Sequence, residues 1–198
     1  MLNINIGKAT TNEGIQIAQL HKEYIGSGFL GSLGTPLLEL VYNSMIDSEI
    51  AFCIVAKDDE KVVGFVSGTT SMSGFYLQFL KDNFFKACVL LLPKFIKPAF
   101  MKKILESFFY PIRINSSHPK AELLSIVVDQ DYQGKGVSRD LFLELAREFG
   151  KKNVNKFKVI VGDNLVPAKK FYEKMGGILS DEIEVHNGEK SKVYIHEC

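Results

Sequence analysis

Cysteine is scarce and scattered. The 198 residues contain three, Cys53, Cys88 and Cys198. An odd number at wide spacings, with no CxxC pair, suggests neither a disulfide framework nor a zinc site. A reducing compartment fits best. Met1 to Lys8 lacks a basic stretch followed by a long apolar one, so no signal peptide is expected. Within residues 75–120 the longest uncharged stretch runs only from Ala87 to Pro93, whereas a membrane-spanning helix needs about 20 apolar residues. A cytoplasmic protein is therefore expected. A dominant charge sign is missing too: the net charge is +1, so nothing marks the whole chain as a nucleic-acid binder. No GxSxG occurs, which leaves a serine hydrolase unsupported. With 46% hydrophobic and 24% charged residues, the chain reads as one globular domain, 1–198, with room for an insertion.

Leu2, Ile4 and Ile6 alternate with Asn3 and Asn5, the pattern of a first strand. A helix is expected from Thr11, with Ile15, Ala18 and Leu20 as apolar positions, fading at Gly26. Residues 26–34 hold four glycines and read as a loop. A second helix follows Thr35-Pro36, where threonine can cap and proline suits the first turn. Ala51 to Ala56 and Lys61 to Gly68 read as a strand pair around Asp58-Asp59-Glu60. Glu122 to Val128 and Lys156 to Val161 are apolar strands. Between them, Val137, Leu141, Leu145 and Phe149 recur at helical spacing within Lys135 to Phe149. A further helix fits Pro167 to Met175, and Ile178 to His196 reads as two strands turning at Asn187-Gly188. The order predicts an α/β fold with a mixed, mostly antiparallel central sheet and flanking helices.

The run Leu124-Ser125-Ile126-Val127-Val128-Asp129-Gln130-Asp131-Tyr132-Gln133-Gly134-Lys135-Gly136-Val137-Ser138 carries the clearest chemical signal. A β-branched strand ends in a glycine-rich turn that opens a helix. Glycines let backbone N–H groups converge on an anion, and the helix N-terminus adds a favourable dipole. The arrangement suits a pyrophosphate, though strand–Gly–Lys–Gly–helix also occurs as plain turn chemistry. It is not a Walker loop, because GxxxxGK[ST] is absent, and Arg139 stands where a GxGxxG would place its third glycine.

That run resembles the acetyl-CoA pyrophosphate motif of the GNAT family of N-acetyltransferases, Gln/Arg-x-x-Gly-x-Gly/Ala. Gln133 and Gly136 match, and Ser138 departs from the last position with a residue still small enough for close backbone approach. A second stretch, Asn164 to Gly176, is similar to the family's Asn-x-x-x-Ala-x-x-x-Tyr-x-x-x-Gly segment through Asn164, Ala168, Tyr172 and Gly176, with Phe171 beside the tyrosine. The family usually continues Gly-Phe, where this chain has Gly176-Gly177. The clear resemblance covers residues 121–177.

The resemblance implies acetyl-CoA as co-substrate and an amine as acceptor. The fourth and fifth strands would splay, with pantetheine between them and its amides on the backbone of Ile126 and Val128, flanking Val127. Backbone amides of Gly134, Lys135, Gly136, Val137 and Ser138 would hold the pyrophosphate. Asn164 would touch the pantetheine arm, with Ala168 and Phe171 on the same helix. Tyr172 would protonate the leaving thiolate; packing on the sheet is the alternative for a tyrosine there. Glu122 resembles the position where some family members keep a glutamate base, and a solvent-facing strand-edge glutamate reads the same. Ser125 is a weaker alternative. His118 lies in the polar loop Ser116-Ser117-His118-Pro119 and is expected to be solvated, while His21, His186 and His196 show no partner spacing and are expected at the surface. Cys88 sits in an apolar run and suits a core position.

Residues 75–120 differ from the rest. They hold eight of the fifteen phenylalanines and eight Lys/Arg against two Asp/Glu, a net +6 that leaves −5 for the remainder. Two inserted helices are expected, about 75–92 and 98–109. The insertion could wall the acceptor pocket and attract a phosphorylated substrate such as a nucleotide-linked amino sugar. It could rest on a membrane surface, or its lysines could simply solubilise apolar helices. The Gly28-Phe29-Leu30 loop is a second candidate pocket wall. The insertion suits a homodimer. The function expected is transfer of acetyl to a small amine; a non-catalytic acyl-CoA binder and a transferase for a longer acyl chain are the alternatives.

Overall fold

The alternation at the start of the chain produces edge strand β1 (Ile4–Lys8) of a seven-stranded sheet. The computed structural model describes residues 4–26, 31, 34–92, 118–186 and 189–198. Leu2, the loop at Gly28-Phe29-Leu30, the helix expected at 98–109 and the Asn187-Gly188 turn lie outside the described residues.

After a 3-10 turn at Thr11–Glu13, helix α1 spans Gly14–Tyr24. It buries Ile17, Ala18, Leu20 and His21, while Ile15 is exposed, because the buried stripe runs through Gly14, Ile17, Ala18 and His21, one residue before Ile15. Helix α2 (Thr35–Ile46) has proline in its first turn as expected. Its N-cap is Gly34, at φ +86°, and Thr35 already lies in the helix. A left-handed cap is open to glycine and strained for threonine.

Strands β2 (Ala51–Asp58) and β3 (Lys61–Thr69) pair antiparallel around Asp59. Helix α3 (Met72–Leu91) starts where the Ser71 hydroxyl accepts from the Gly74 N–H. It corresponds to the first inserted helix, expected at 75–92. Then follow β4 (Glu122–Val128), α4 (Val137–Lys151), β5 (Lys156–Gly162), α5 (Val166–Lys174), β6 (Ile178–His186) and β7 (Glu189–Glu197). The sheet order is β1-β2-β3-β4-β5-β7-β6. Among the described residues only β4 and β5 run parallel; the other neighbouring pairs are antiparallel. The mixed, mostly antiparallel sheet matches the expected fold class.

Helices cover both faces, so the central strands are apolar on both sides. Phe52, Ile54 and Ala56 of β2 join one core cluster with Leu141, Leu145 and Phe149 of α4. Cys53 and Val55, facing the other way, join Ile17 of α1 and Leu38, Tyr42 and Met45 of α2. The i, i+4 stripe read from Leu141, Leu145 and Phe149 is the buried face of α4. A Cβ on Gly68 would lie 3.0–3.2 Å from Phe149, Phe52 and Leu145, so the absent side chain lets α4 seat closely on β3.

Leu145 is fully buried in this layer. Its replacement by alanine is expected to remove about 2–5 kcal/mol of stability, read as the shift in a urea unfolding midpoint. A loss under about 1 kcal/mol would contradict the packing described.

Candidate active site

Two consecutive pairs, Glu122↔Lys158 and Leu123↔Val159, are all that join β4 to β5. Beyond them β4 is paired only to β3 and β5 only to β7. The register against β3 skips Leu124, with Ser67 opposite Ser125 and Gly68 opposite Leu123. That bulge bends β4 away from β5. The Asp129 N–H donates to the Val63 carbonyl at 2.9 Å. By the alternation of an antiparallel ladder, the backbone groups of Ile126 and Val128 then point away from β3, into the split. The Val128 carbonyl accepts from the Gln133 side-chain amide at 2.9 Å. Backbone polar groups at such a position need partners, and a peptide-like ligand offers them.

The glycine run closes the mouth of the split. A 3-10 turn at Gln130–Tyr132 starts on Asp129, whose carboxylate accepts from the Asp131 N–H at 3.0 Å. The Tyr132 hydroxyl donates to Asp58 at 2.7 Å, and the Gln130 N–H donates to the Tyr24 hydroxyl at 3.0 Å. Gly134 and Gly136 adopt φ of +73° and +90°. A Cβ on either would meet no atom within 4 Å, so conformation and not crowding demands glycine, and the space above both is open. Gly136 is the N-cap of α4 and supplies no side chain to its first turn. The amides there face solvent-accessible space, a setting that suits an anion.

The second stretch surrounds α5. Asn164 is exposed, and its Oδ1 would lie 3.0 Å from a Cβ on Gly162. Ala168 and Phe171 pack on the core cluster beneath α4. Tyr172 is buried among Phe171, Phe142 and His196, at ring separations of 5.3, 6.3 and 6.1 Å. Burial pushes its phenol pKa well above the usual range.

Three histidines differ from expectation. His196 is buried, stacked on Phe157 at 5.3 Å and edge-on to Phe142 at 4.9 Å. His21 is buried with Nδ1 2.6 Å from the Tyr42 hydroxyl. Burial drives both pKa values down to about 4. The His118 ring is also buried, its Nε2 3.7 Å from Asp181. Tertiary packing, invisible in local spacing, encloses all three. His196 accounts for Gly177, while Gly176 adopts φ +87° with open space at its Cβ position. A Cβ on Gly177 would stand 2.7 Å from the imidazole Cε1 and Nε2 and 2.8 Å from the Tyr172 carbonyl. The imidazole takes the space a larger residue would need.

Glu122 is not a solvent-facing strand-edge residue. Its side chain is 7% exposed and pairs with Lys158 Nζ at 3.2 Å, across the first of the two β4–β5 pairs. The same ammonium donates to the Pro119 carbonyl at 2.7 Å. Tyr76 of α3 lies in this environment; burial and the Glu122 charge push its pKa up to about 12. Ser125 is buried against the Tyr42 hydroxyl. Lys158 and Tyr76 were missed by the sequence reading. Lys158 had a signal: it alternates with Phe157 and Val159 and so faces away from their core.

The profile of the Acetyltransferase (GNAT) family matches residues 17–177. Among solved structures, Arabidopsis thaliana NAA60 in complex with acetyl-CoA aligns at a TM-score of 0.62 and 13% identity, over 98% of each chain. The PaiA N-acetyltransferase from Thermoplasma acidophilum, in complex with coenzyme A, aligns at 0.61 and 14%, over 99% of each chain. The ribosomal-protein-S18-alanine N-acetyltransferase from Escherichia coli aligns at 0.56 and 13%, over 98% of this chain and 93% of its own. At these identities the likeness is one of fold. A search by sequence among curated proteins finds no match.

Gly177→Ala is expected to destabilise by about 1–3 kcal/mol through overpacking. Adding His196→Ala should relieve part of that loss, and strict additivity in the double-mutant cycle would refute the contact. A pH dependence follows from the two buried imidazoles. The unfolded chain protonates them below about pH 6.5, whereas the folded chain keeps them neutral down to about pH 4. Their contribution is thus fully present above about pH 6.5 and is lost as pH falls toward 4. Urea midpoints measured across this window should fall with pH, and less steeply in His196→Phe; an unchanged slope in that variant would count against a neutral buried His196.

Proposed function

The chain belongs to the GNAT family of acetyltransferases, and on that premise we propose that it moves an acetyl group from acetyl-CoA to the amine of a small acceptor, an amino sugar or nucleotide-linked amino sugar. The observation that carries this reading is the split between β4 and β5 with a left-handed glycine loop at its mouth. The fit to coenzyme A rests on the free space above Gly134 and Gly136 and on the backbone of Ile126 and Val128 aimed into the split.

In this reading Ile126 and Val128 would hold the pantetheine amides, flanking Val127, and the amides of Gly134, Lys135, Gly136, Val137 and Ser138 would hold the diphosphate. Asn164 would contact the pantetheine arm, with Ala168 and Phe171 shaping the wall beneath it. Bound acetyl-CoA supplies an acyl group on a leaving thiol of pKa ~8.5. Tyr172 would deliver a proton to the departing sulfur, being protonated at neutral pH as a phenol is. The acceptor must arrive neutral. A lysine-like amine of pKa ~10.4 would need roughly 4.6 kcal/mol to lose its proton at pH 7, so a proton acceptor is useful. Glu122, at the closed end of the split, takes that role, held in place by Lys158. The net +6 of residues 75–120 supports a phosphorylated acceptor.

Coenzyme A thiol release, screened against amino sugars, nucleotide amino sugars, polyamines, amino acids and peptides, tests the reading. Turnover is expected with sugar amines. Tyr172→Phe should lower kcat by about 10²–10⁴-fold with coenzyme A affinity by calorimetry unchanged. Turnover confined to peptides would overturn the acceptor class. Thermal protection by acetyl-CoA with no thiol release from any amine would mark a non-catalytic binder. Full turnover by Tyr172→Phe would remove the phenol from the mechanism.

A further inference from the structure

The layer between the sheet and helices α1 and α2 is built on Ile17, Leu38, Met45, Val55 and Phe65. Four polar side chains from four elements meet inside it. His21 of α1, Tyr42 of α2, Ser67 of β3 and Ser125 of β4 are 1%, 1%, 0% and 7% exposed. His21 Nδ1 lies 2.6 Å from the Tyr42 hydroxyl. The same hydroxyl lies against the side chains of Ser125 and Ser67. Buried polar groups cost free energy unless they hold one another. Apolar residues would fill this layer at less cost, so the cluster points to a local task.

Its place on β4 identifies that task. In a regular strand successive side chains alternate between faces. Leu123 packs in the α4 layer and Leu124 in the α2 layer, as alternation requires. Ser125 would then turn back toward α4, yet it faces Tyr42, on the same side as Leu124. Ile126, Val127 and Val128 resume the alternation, in the α4, α2 and α4 layers. The extra residue is the bulge in the pairing with β3. A one-residue change of phase turns every later group of a strand to the opposite side. The position of Ser125 therefore decides which way the backbone of Ile126 and Val128 is aimed.

We infer that Tyr42 is a positioning residue for the coenzyme: held by His21, its hydroxyl keeps Ser125 on the α2 side of β4 and so keeps Ile126 and Val128 aimed into the split. The inference rests on the reading of that split as the coenzyme A site. Calorimetry with coenzyme A, and steady-state thiol release from acetyl-CoA with a productive amine, test it. The variants are Tyr42→Phe, Ser125→Ala, the two combined, and Val55→Ala, a truncation of the same layer on β2. Each hydroxyl deletion should weaken coenzyme A binding and raise the acetyl-CoA KM by about 3–10-fold. The kcat should stay within about twofold, because the interaction lost is one of binding. The combined variant should bind no more weakly than either single one, since both deletions break the same contact. Val55→Ala should lower the melting temperature and leave coenzyme A affinity unchanged. Unaltered affinity in Tyr42→Phe, additive losses in the combined variant, an equal loss of affinity in Val55→Ala, or a fall in kcat in place of a rise in KM would overturn the inference. Calorimetry on the unaltered chain separates the two claims. If that chain takes up no coenzyme A, the reading of the split fails and this inference with it. Binding that Tyr42→Phe leaves intact removes the positioning role alone.

Discussion

A parallel strand pair that stops after two residues is the constraint from which the candidate site follows. β4 and β5 are held together at Glu122↔Lys158 and Leu123↔Val159 and then diverge. The bulge at Leu124 supplies the bend, and each strand keeps its pairing on the far side, to β3 and to β7. The sheet therefore stays continuous while an edge opens in its middle. Edges inside a sheet leave peptide groups without ladder partners, and here the Val128 carbonyl at that edge accepts from the side chain of Gln133, which leads into the glycine loop.

Several polar groups are buried in the layers on either side of the sheet. The Glu122–Lys158 pair straddles the joined end, and the His196 imidazole fills the space beside Gly177 and Tyr172. His21 and Tyr42 bond beneath β3 and β4. Buried charges and imidazoles rarely raise stability over apolar replacements; they hold specific neighbours in specific places. The Glu122–Lys158 pair ties the two strands at the point where they separate. His196, stacked on Phe157 and facing Tyr172, ties β7 to α5 across the same layer.

The elements of the fold were largely legible, because each rests on local periodicity. Val137, Leu141, Leu145 and Phe149 announced α4 and became its buried face. The β-branched run Glu122 to Val128 announced β4 with its observed bounds. The glycines at 134 and 136 were legible as a special turn, and both adopt positive φ. Departures came where a residue's role depends on what approaches it from far along the chain. Ile15 fits the helical pattern yet faces solvent, and Thr35 looked like a cap that Gly34 supplies instead.

Sequence alone determined the strands, the helices, the anion-suited turn and the family resemblance, since these depend on short-range spacing and on residues read in order. Tertiary structure decided which side chains lose water. His21 and His196 had no local partner to betray them, and Glu122 had none within its own strand; their partners lie 21 or more residues away, or on another strand altogether. It also decided that β4 and β5 part after two pairs, because the divergence of two strands more than 30 residues apart in the chain is set by the bulge and by the layers packed on either side.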